Sequence, residues 1–143
     1  MKEKILVSAC LLGINCKYDG GNNKNEKLIE YLKDKEIIPI CPEQLGGLPT
    51  PRIPAERLKN KVITKTKKDV TTNYQIGANE VLKLAKEFNI KKAILKSRSP
   101  SCGKDMIYDG NFSHTLINNH GVCAELLINN GIEVTSSDEW ENK

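Results

Sequence analysis

The sequence predicts an α/β fold: a single-domain three-layer sandwich with a mostly parallel central sheet and its site at the C-terminal edge of the strands. Short β-rich runs at 5–9, 36–40, 92–95 and 132–135 alternate with segments of helical periodicity at 25–33, 69–88 and 122–129. That alternation is the pattern of βαβ units on a parallel sheet. The chain has 143 residues, 38% hydrophobic and 28% charged, which suits one domain with a real core. Cys10, Cys41 and Cys102 each follow one of the first three runs. On a parallel sheet, those thiols emerge on the edge where open α/β folds place their ligands.

Each element has its own signal. The run at 5–9 is continuous and apolar, as a strand buried on both faces requires, and Gly13 and Asp19-Gly20-Gly21 punctuate the loop after it. Leu28, Ile29 and Leu32 share one helical face, with Asn22 or Asn23 available as a cap. The segment 42–54 holds four prolines and two glycines, which excludes a regular helix or a central strand. So long an irregular stretch in a compact domain is usually functional, and Leu45, Leu48 and Ile53 argue against a solvated linker. Residues 61–65 alternate weakly, as a short edge strand would. Val70, Tyr74, Ala78, Val81, Leu82, Ala85 and Phe88 form one apolar stripe on the longest helix, which Asp69 caps. Residues 106–113 predict a small hairpin centred on Asp109-Gly110. Gly131 ends the last helix, and the acidic tail at 138–141 either frays or is packed down through Trp140.

The net charge is +4, and part of the excess is local: Arg57, Lys59, Lys61, Lys65, Lys67 and Lys68. Such a cluster reads either as a solvated loop or as a surface for an anionic partner such as a nucleotide phosphate or RNA. No aromatic ladder or RGG tract supports extended nucleic-acid binding. Five cysteines, an odd number in a lysine-rich chain, fit a reducing cytoplasm better than a secreted disulfide framework. The apolar run before Cys10 is too short for the core of a signal peptide, and no stretch approaches a membrane span.

The cysteines are not equivalent. Cys123 lies within the last helix in register with Leu126 and Leu127 and reads as a small packing residue. Cys10, Cys41 and Cys102 occupy equivalent topological positions and suggest a shared metal or iron–sulfur site. Cys16 is within reach of the same edge and stays open as a fourth ligand, a redox partner or loop packing. No C-x-x-C knuckle marks a structural zinc and no ferredoxin run is present. Thiolate softness alone suits either zinc or iron. Glu43 lies two residues after Cys41 and can shuttle a proton or activate water; Ser99 lies three before Cys102 and can steady an anion. His114 and His120 have no partner at metal-ligand spacing and read as surface or packing residues.

Four motifs resemble one family, the thiouracil desulfidases: Val7-Ser8-Ala9-Cys10-Leu11-Leu12-Gly13, Cys16-Lys17-Tyr18-Asp19-Gly20, the segment from Cys41-Pro42-Glu43 to Thr50-Pro51-Arg52, and Ser97-Arg98-Ser99-Pro100-Ser101-Cys102-Gly103. The resemblance runs over 5–136. It implies a [4Fe-4S] cluster with three cysteine ligands, Cys10, Cys41 and Cys102, and one open iron that takes the sulfur of a thiolated pyrimidine. It implies proton-transfer and positioning roles for Glu43 and Ser99. The reaction it implies is non-redox, turning thiouracil or a thiouridine nucleotide into its oxygen counterpart and hydrogen sulfide. Lys17 departs from the Arg expected there and lacks its bidentate fork. Relatives fused to another domain act on thiolated RNA; without that extension in this sequence, a free base or mononucleotide is the expected substrate. Two rival classes remain at this level: a metal-free thiol or persulfide sulfur-transfer protein using Cys10 or Cys16, and a zinc-bound RNA-binding module.

Overall fold

The computed structural model describes residues 2–142. Four parallel strands form the central sheet in the order β2-β1-β5-β8, with β1 Lys4–Ser8, β2 Glu36–Ile40, β5 Lys92–Leu95 and β8 Glu133–Ser136. Two antiparallel pairs stand apart from it, β3 Ala55–Leu58 with β4 Lys61–Thr64 and β6 Met106–Tyr108 with β7 Leu116–Asn118. The helices are α1 Glu26–Tyr31, α2 Pro42–Leu45, α3 Thr71–Glu87 and α4 Val122–Asn129.

The pleat of β1 builds the three layers. Ile5 and Val7 point to one face and pack with Leu28 and Leu32 from the α1 region. Leu6 points to the other and joins Ala78, Val81 and Ala85 of α3 and Ala124 and Leu127 of α4. Burying one such Leu or Ile contributes about 2 kcal/mol. The sequence order of the parallel strands reverses between β1 and β5, so the topological switch point lies at their C-terminal ends, where ligands bind in this architecture.

Several local expectations change. The α1 cap is Asn25, whose side chain accepts from Leu28 N at 3.1 Å; Asn22 and Asn23 are engaged with Asn15 and Cys10 instead. Pro42 opens a short helix within the proline-rich segment, because at the first helical position its missing N–H costs nothing. Leu45 and Ile53 are exposed, and of the three apolar residues noted there only Leu48 packs against the core. Phe88 is exposed, beyond the end of the α3 stripe. The hairpin turn is not centred on Asp109-Gly110. The Glu56 carboxylate accepts from both Gly110 N and Phe112 N at 3.1 Å, which holds 109–115 as a wider loop across β3. Trp140 packs on Tyr31 with ring centroids 5.0 Å apart, and Trp140–Asn142 forms a 3-10 turn, so the tail is held down through Trp140 and does not fray there.

The basic stretch at 57–68 is neither one loop nor one surface. It builds most of the β3–β4 hairpin, which pairs with itself and not with the central sheet edge. Arg57 is buried in it, donating to Lys59 O at 2.8 Å, His120 O at 2.7 Å and Glu125 Oε1 at 3.0 Å. It clips the hairpin to α4. Arg57→Ala removes all three bonds and is expected to destabilise the fold by about 2 kcal/mol, read from urea unfolding.

Candidate active site

Three strand ends deliver the thiols. After β1 the chain turns through a 3-10 helix, Ala9–Leu12, that carries Cys10, and leaves it through Gly13 at φ 91. Asn23 closes this loop from both sides: its N–H donates to Cys10 O at 2.9 Å and its side-chain amide to Cys10 Sγ at 3.5 Å. Cys41 is the N-cap residue of α2, so Glu43 falls in that helix's first turn. After β5, Ser8 Oγ accepts from Lys96 N at 2.9 Å and steers the 96–103 loop back over β1. Ser99 Oγ accepts from the Ser101 and Cys102 amides at 3.1 and 3.0 Å, folding the turn that presents Cys102. The start of α4 braces that turn, with Val122 N and Cys123 N donating to Pro100 O and Ser101 O.

Cys10, Cys41 and Cys102 therefore line one cavity of about 510 Å³, together with Glu43 and Ser99. That volume is in the range of small-molecule sites. Cys123 lies outside it, fully buried in the α3–α4 core, with its thiol pushed up by burial. Cys16 lines the cavity and is buried, and Cys41 Sγ donates to its carbonyl oxygen at 3.8 Å. The proximity of Cys16 is the main cause of the lowered pKa values at Cys10, about 6, and Cys41, about 7, while the Cys16 thiol is pushed up. Burial pushes Cys102 up to about 12; Ser101 Oγ lies 3.6 Å from its sulfur.

The polar half of the site centres on Glu43. Oε1 accepts from Arg52 Nε at 2.9 Å and Oε2 from Ser101 Oγ at 2.9 Å. Arg52 further donates to Pro49 O, Thr50 Oγ1 and Cys16 O, so one guanidinium ties together the loops bearing Cys16 and Glu43. Tyr74 of α3 also lines the cavity and interacts with Glu43; burial, then that carboxylate, pushes its phenol up. A carboxylate only accepts, so the single Ser101 hydrogen goes to Glu43 and Ser99 supplies the one shared between the two hydroxyls, 3.0 Å apart. The hydroxyl that touches Glu43 is thus Ser101, which also lies 3.6 Å from Cys102 Sγ; Ser99 is one bond further along. Ser101, Arg52 and Tyr74 were not singled out from the sequence. Only Ser101 carried a local signal there, its place next to Cys102.

Also lining the cavity are the cations Lys17, Lys65, Lys96 and Arg98 and the rings of Tyr18, Tyr108 and Phe112. Lys65 is the one member of the 57–68 cluster in the lining. Lys17, the departure from the expected Arg, lines the cavity and lies 3.7 Å from Asp19. His114 is brought to the cavity by the 109–115 loop, whereas His120 Nδ1 accepts from Asp105 N at 3.0 Å outside it. Among the described residues, no three His, Cys, Asp or Glu side chains gather at the spacing of one metal ion's ligands. A mononuclear zinc draws its thiolates together at about 2.3 Å from one centre. Cys10, Cys41 and Cys102 instead reach one cavity from three separate loops, a donor set whose chemistry suits a multinuclear iron–sulfur cluster, in which separate irons take separate cysteines.

The model of the 2-thiouracil desulfurase family matches residues 5–139. The chain belongs to this family. The chain is similar to the uncharacterized protein YbbK of Bacillus subtilis (strain 168), 43% identical over 94% of this chain and 96% of that protein. Among solved structures, the fold is similar to the [4Fe-4S]-dependent thiouracil desulfidase TudS, with a TM-score of 0.91, 40% identity, and coverage of 99% of this chain and 95% of that one. The family assignment accounts for the α/β domain with its parallel four-stranded sheet. It also makes the cavity at the switch point the place to seek the family's chemistry.

Proposed function

We propose that this protein is a [4Fe-4S]-dependent desulfidase that hydrolyses the thiocarbonyl of thiouracil, or of a thiouridine nucleotide, to the carbonyl and hydrogen sulfide. The observation that carries this reading is the meeting of Cys10, Cys41 and Cys102 with the Glu43–Ser101 pair in one cavity. Cys10, Cys41 and Cys102 would hold the cluster, and the cluster would supply Lewis acidity toward the substrate's sulfur. Thiocarbonyl plus water gives carbonyl plus hydrogen sulfide, so no electrons enter or leave.

The chain's residues supply the rest. Glu43 has one acceptor direction on each oxygen occupied, by Arg52 and Ser101, and keeps capacity to take a proton from the attacking water and return it to the departing sulfur. Ser101 and Ser99 form the hydroxyl chain beside it, and Ser99 holds the turn that aims Cys102. Glu43→Gln keeps size and part of the hydrogen bonding but removes the base. It is expected to lower turnover about 10²–10⁴-fold with iron content unchanged.

The lining cations favour a mononucleotide over the free base: Lys65 and Arg98 add positive charge to the cavity beside Lys17, which pairs with Asp19, and Lys96, which donates to Ser97. Arg98→Ala is expected to raise KM for a thiouridine monophosphate while leaving KM for 2-thiouracil unchanged; equal effects on both would remove the phosphate role. A reducing cytoplasm is the fitting compartment, with all five cysteines free. No helix among the described residues is long and apolar enough to cross a membrane.

The decisive measurement is anaerobic purification. A brown protein with about four irons and four acid-labile sulfides per chain is expected. It should release sulfide from 2-thiouracil. Colourless protein that resists reconstitution would overturn the reading.

A further inference from the structure

Phe112 is half-buried, yet it belongs to none of the three apolar clusters of the interior; it lines the cavity that holds Cys10, Cys41 and Cys102. Its backbone sits at φ 55, a left-handed conformation that is an outlier for a bulky side chain. Such a conformation persists only where its surroundings over-determine it. Glu56 Oε1 accepts from Phe112 N and from Gly110 N, each at 3.1 Å. Asp109 Oδ1 accepts from Asn111 N at 2.9 Å, and Asp109 N donates to Thr115 O at 2.9 Å, closing the base of the loop. Gly110 is pressed on β3, where a Cβ would lie 2.8 Å from Leu58 Cβ and 3.0 Å from Arg57 O. The 109–115 loop is thus clamped to the β3–β4 hairpin, and one carboxylate oxygen fixes the residue that carries the ring.

Core packing does not account for a ring that is strained, joins no apolar cluster and lines a cavity. We propose that Phe112 is a substrate-binding residue whose ring takes the face of the pyrimidine, and that Glu56 is the positioning residue that holds it there. The identity of that planar ring rests on the desulfidase reading above. Thiouracil and uracil both present a flat π face, and an aromatic side chain stacks on such a face whichever atom, sulfur or oxygen, stands at the exchanged position. The contact engages the face of the ring and not the reacting thiocarbonyl, so it acts on binding and not on the chemical step. The two amides that Glu56 holds need an acceptor and not a charge. Gln at this position therefore keeps the clamp, and Ala releases it.

The test uses anaerobically purified full-length protein. Calorimetric titration with uracil, which binds without turnover, gives Kd, and sulfide release from 2-thiouracil gives kcat and KM. Phe112→Leu keeps apolar bulk and the same backbone demand but removes the π face. It is expected to raise Kd for uracil and KM for 2-thiouracil about tenfold, with kcat changed far less and iron content and circular dichroism unchanged. Glu56→Ala is expected to match it, and Glu56→Gln to restore the wild-type Kd and KM. A merely structural Glu56 would lower thermal stability without this split between KM and kcat. Wild-type Kd in Phe112→Leu, a fall in kcat at constant KM, or a Glu56→Gln variant as weak as Glu56→Ala overturns the assignment. The two readings separate in the same data. Uracil binding that depends on Phe112, without sulfide release by the wild type, overturns the desulfidase reading alone; sulfide release that Phe112→Leu does not impair overturns the Phe112 contact alone.

Discussion

Cys102→Ala is expected to yield a folded, colourless protein with no sulfide release from thiouracil, while Cys123→Ala stays brown and active. Both thiols are buried, and both belong to the α3–α4 side of the core. Losing either sulfur is expected to cost stability similarly, about 1 kcal/mol. Their difference is one of direction. Cys102 sits on the turn that Ser99 and the start of α4 hold against the cavity, and it lines that cavity. Cys123 lies inside α4 and does not. Iron content, visible absorbance and circular dichroism on the two variants separate ligand from packing residue. Equal loss of iron in both would mean that the cluster depends on the core and not on Cys102 as a ligand.

Gly77→Ala is expected to damage the site from a distance. On helix propensity alone, Ala at a helix interior gains about 1 kcal/mol over Gly. Here the sign reverses. A Cβ at Gly77 collides with the Pro42 carbonyl oxygen, and one at Gly46 collides with the Asn73 carbonyl, so α2 and α3 meet backbone to backbone through two glycines. Neither carbonyl is a flexible side chain that can swing aside. Overpacking of this kind costs about 1–3 kcal/mol, and only movement of α2 relieves it. That helix carries Glu43 and begins at Cys41. A shift of about 1 Å in catalytic groups can cost roughly 10²-fold in rate. Gly77→Ala should therefore lower thermal stability and reduce kcat on that scale, with iron loading falling as Cys41 is displaced. Unchanged turnover would show that α2 tolerates the movement.

The local rules of the sequence reached far. The apolar runs and helical stripe placed the parallel strands, α3 and α4 within a residue or two, because a strand buried on both faces and a helix with one buried face leave distinct periodicities. Strand ends then placed Cys10, Cys41 and Cys102 on one edge without any side-chain geometry. The short polar strand Ala55–Leu58 escaped because Ala-Glu-Arg-Leu has no β signature. Arg57 read as one charge among many, since nothing local foretells that Glu125 and a carbonyl 63 residues away will bury it. The wide loop at 109–115 likewise depends on Glu56, more than fifty residues earlier.

Local pattern in the chain therefore settles the α/β class, the succession of strands and helices, and three thiols at equivalent positions with Glu43 beside one of them. Periodicity and turn chemistry are local, and they act before any long-range contact forms. Long-range packing alone sets Ser101, and not Ser99, against Glu43, fixes that carboxylate with Arg52, ties the Cys16 loop to Arg52 and Cys41, and seats α2 on α3 through Gly46 and Gly77. Those are contacts between segments brought together by the β1–β5 switch point, and their geometry exists only once the sheet has closed the distance.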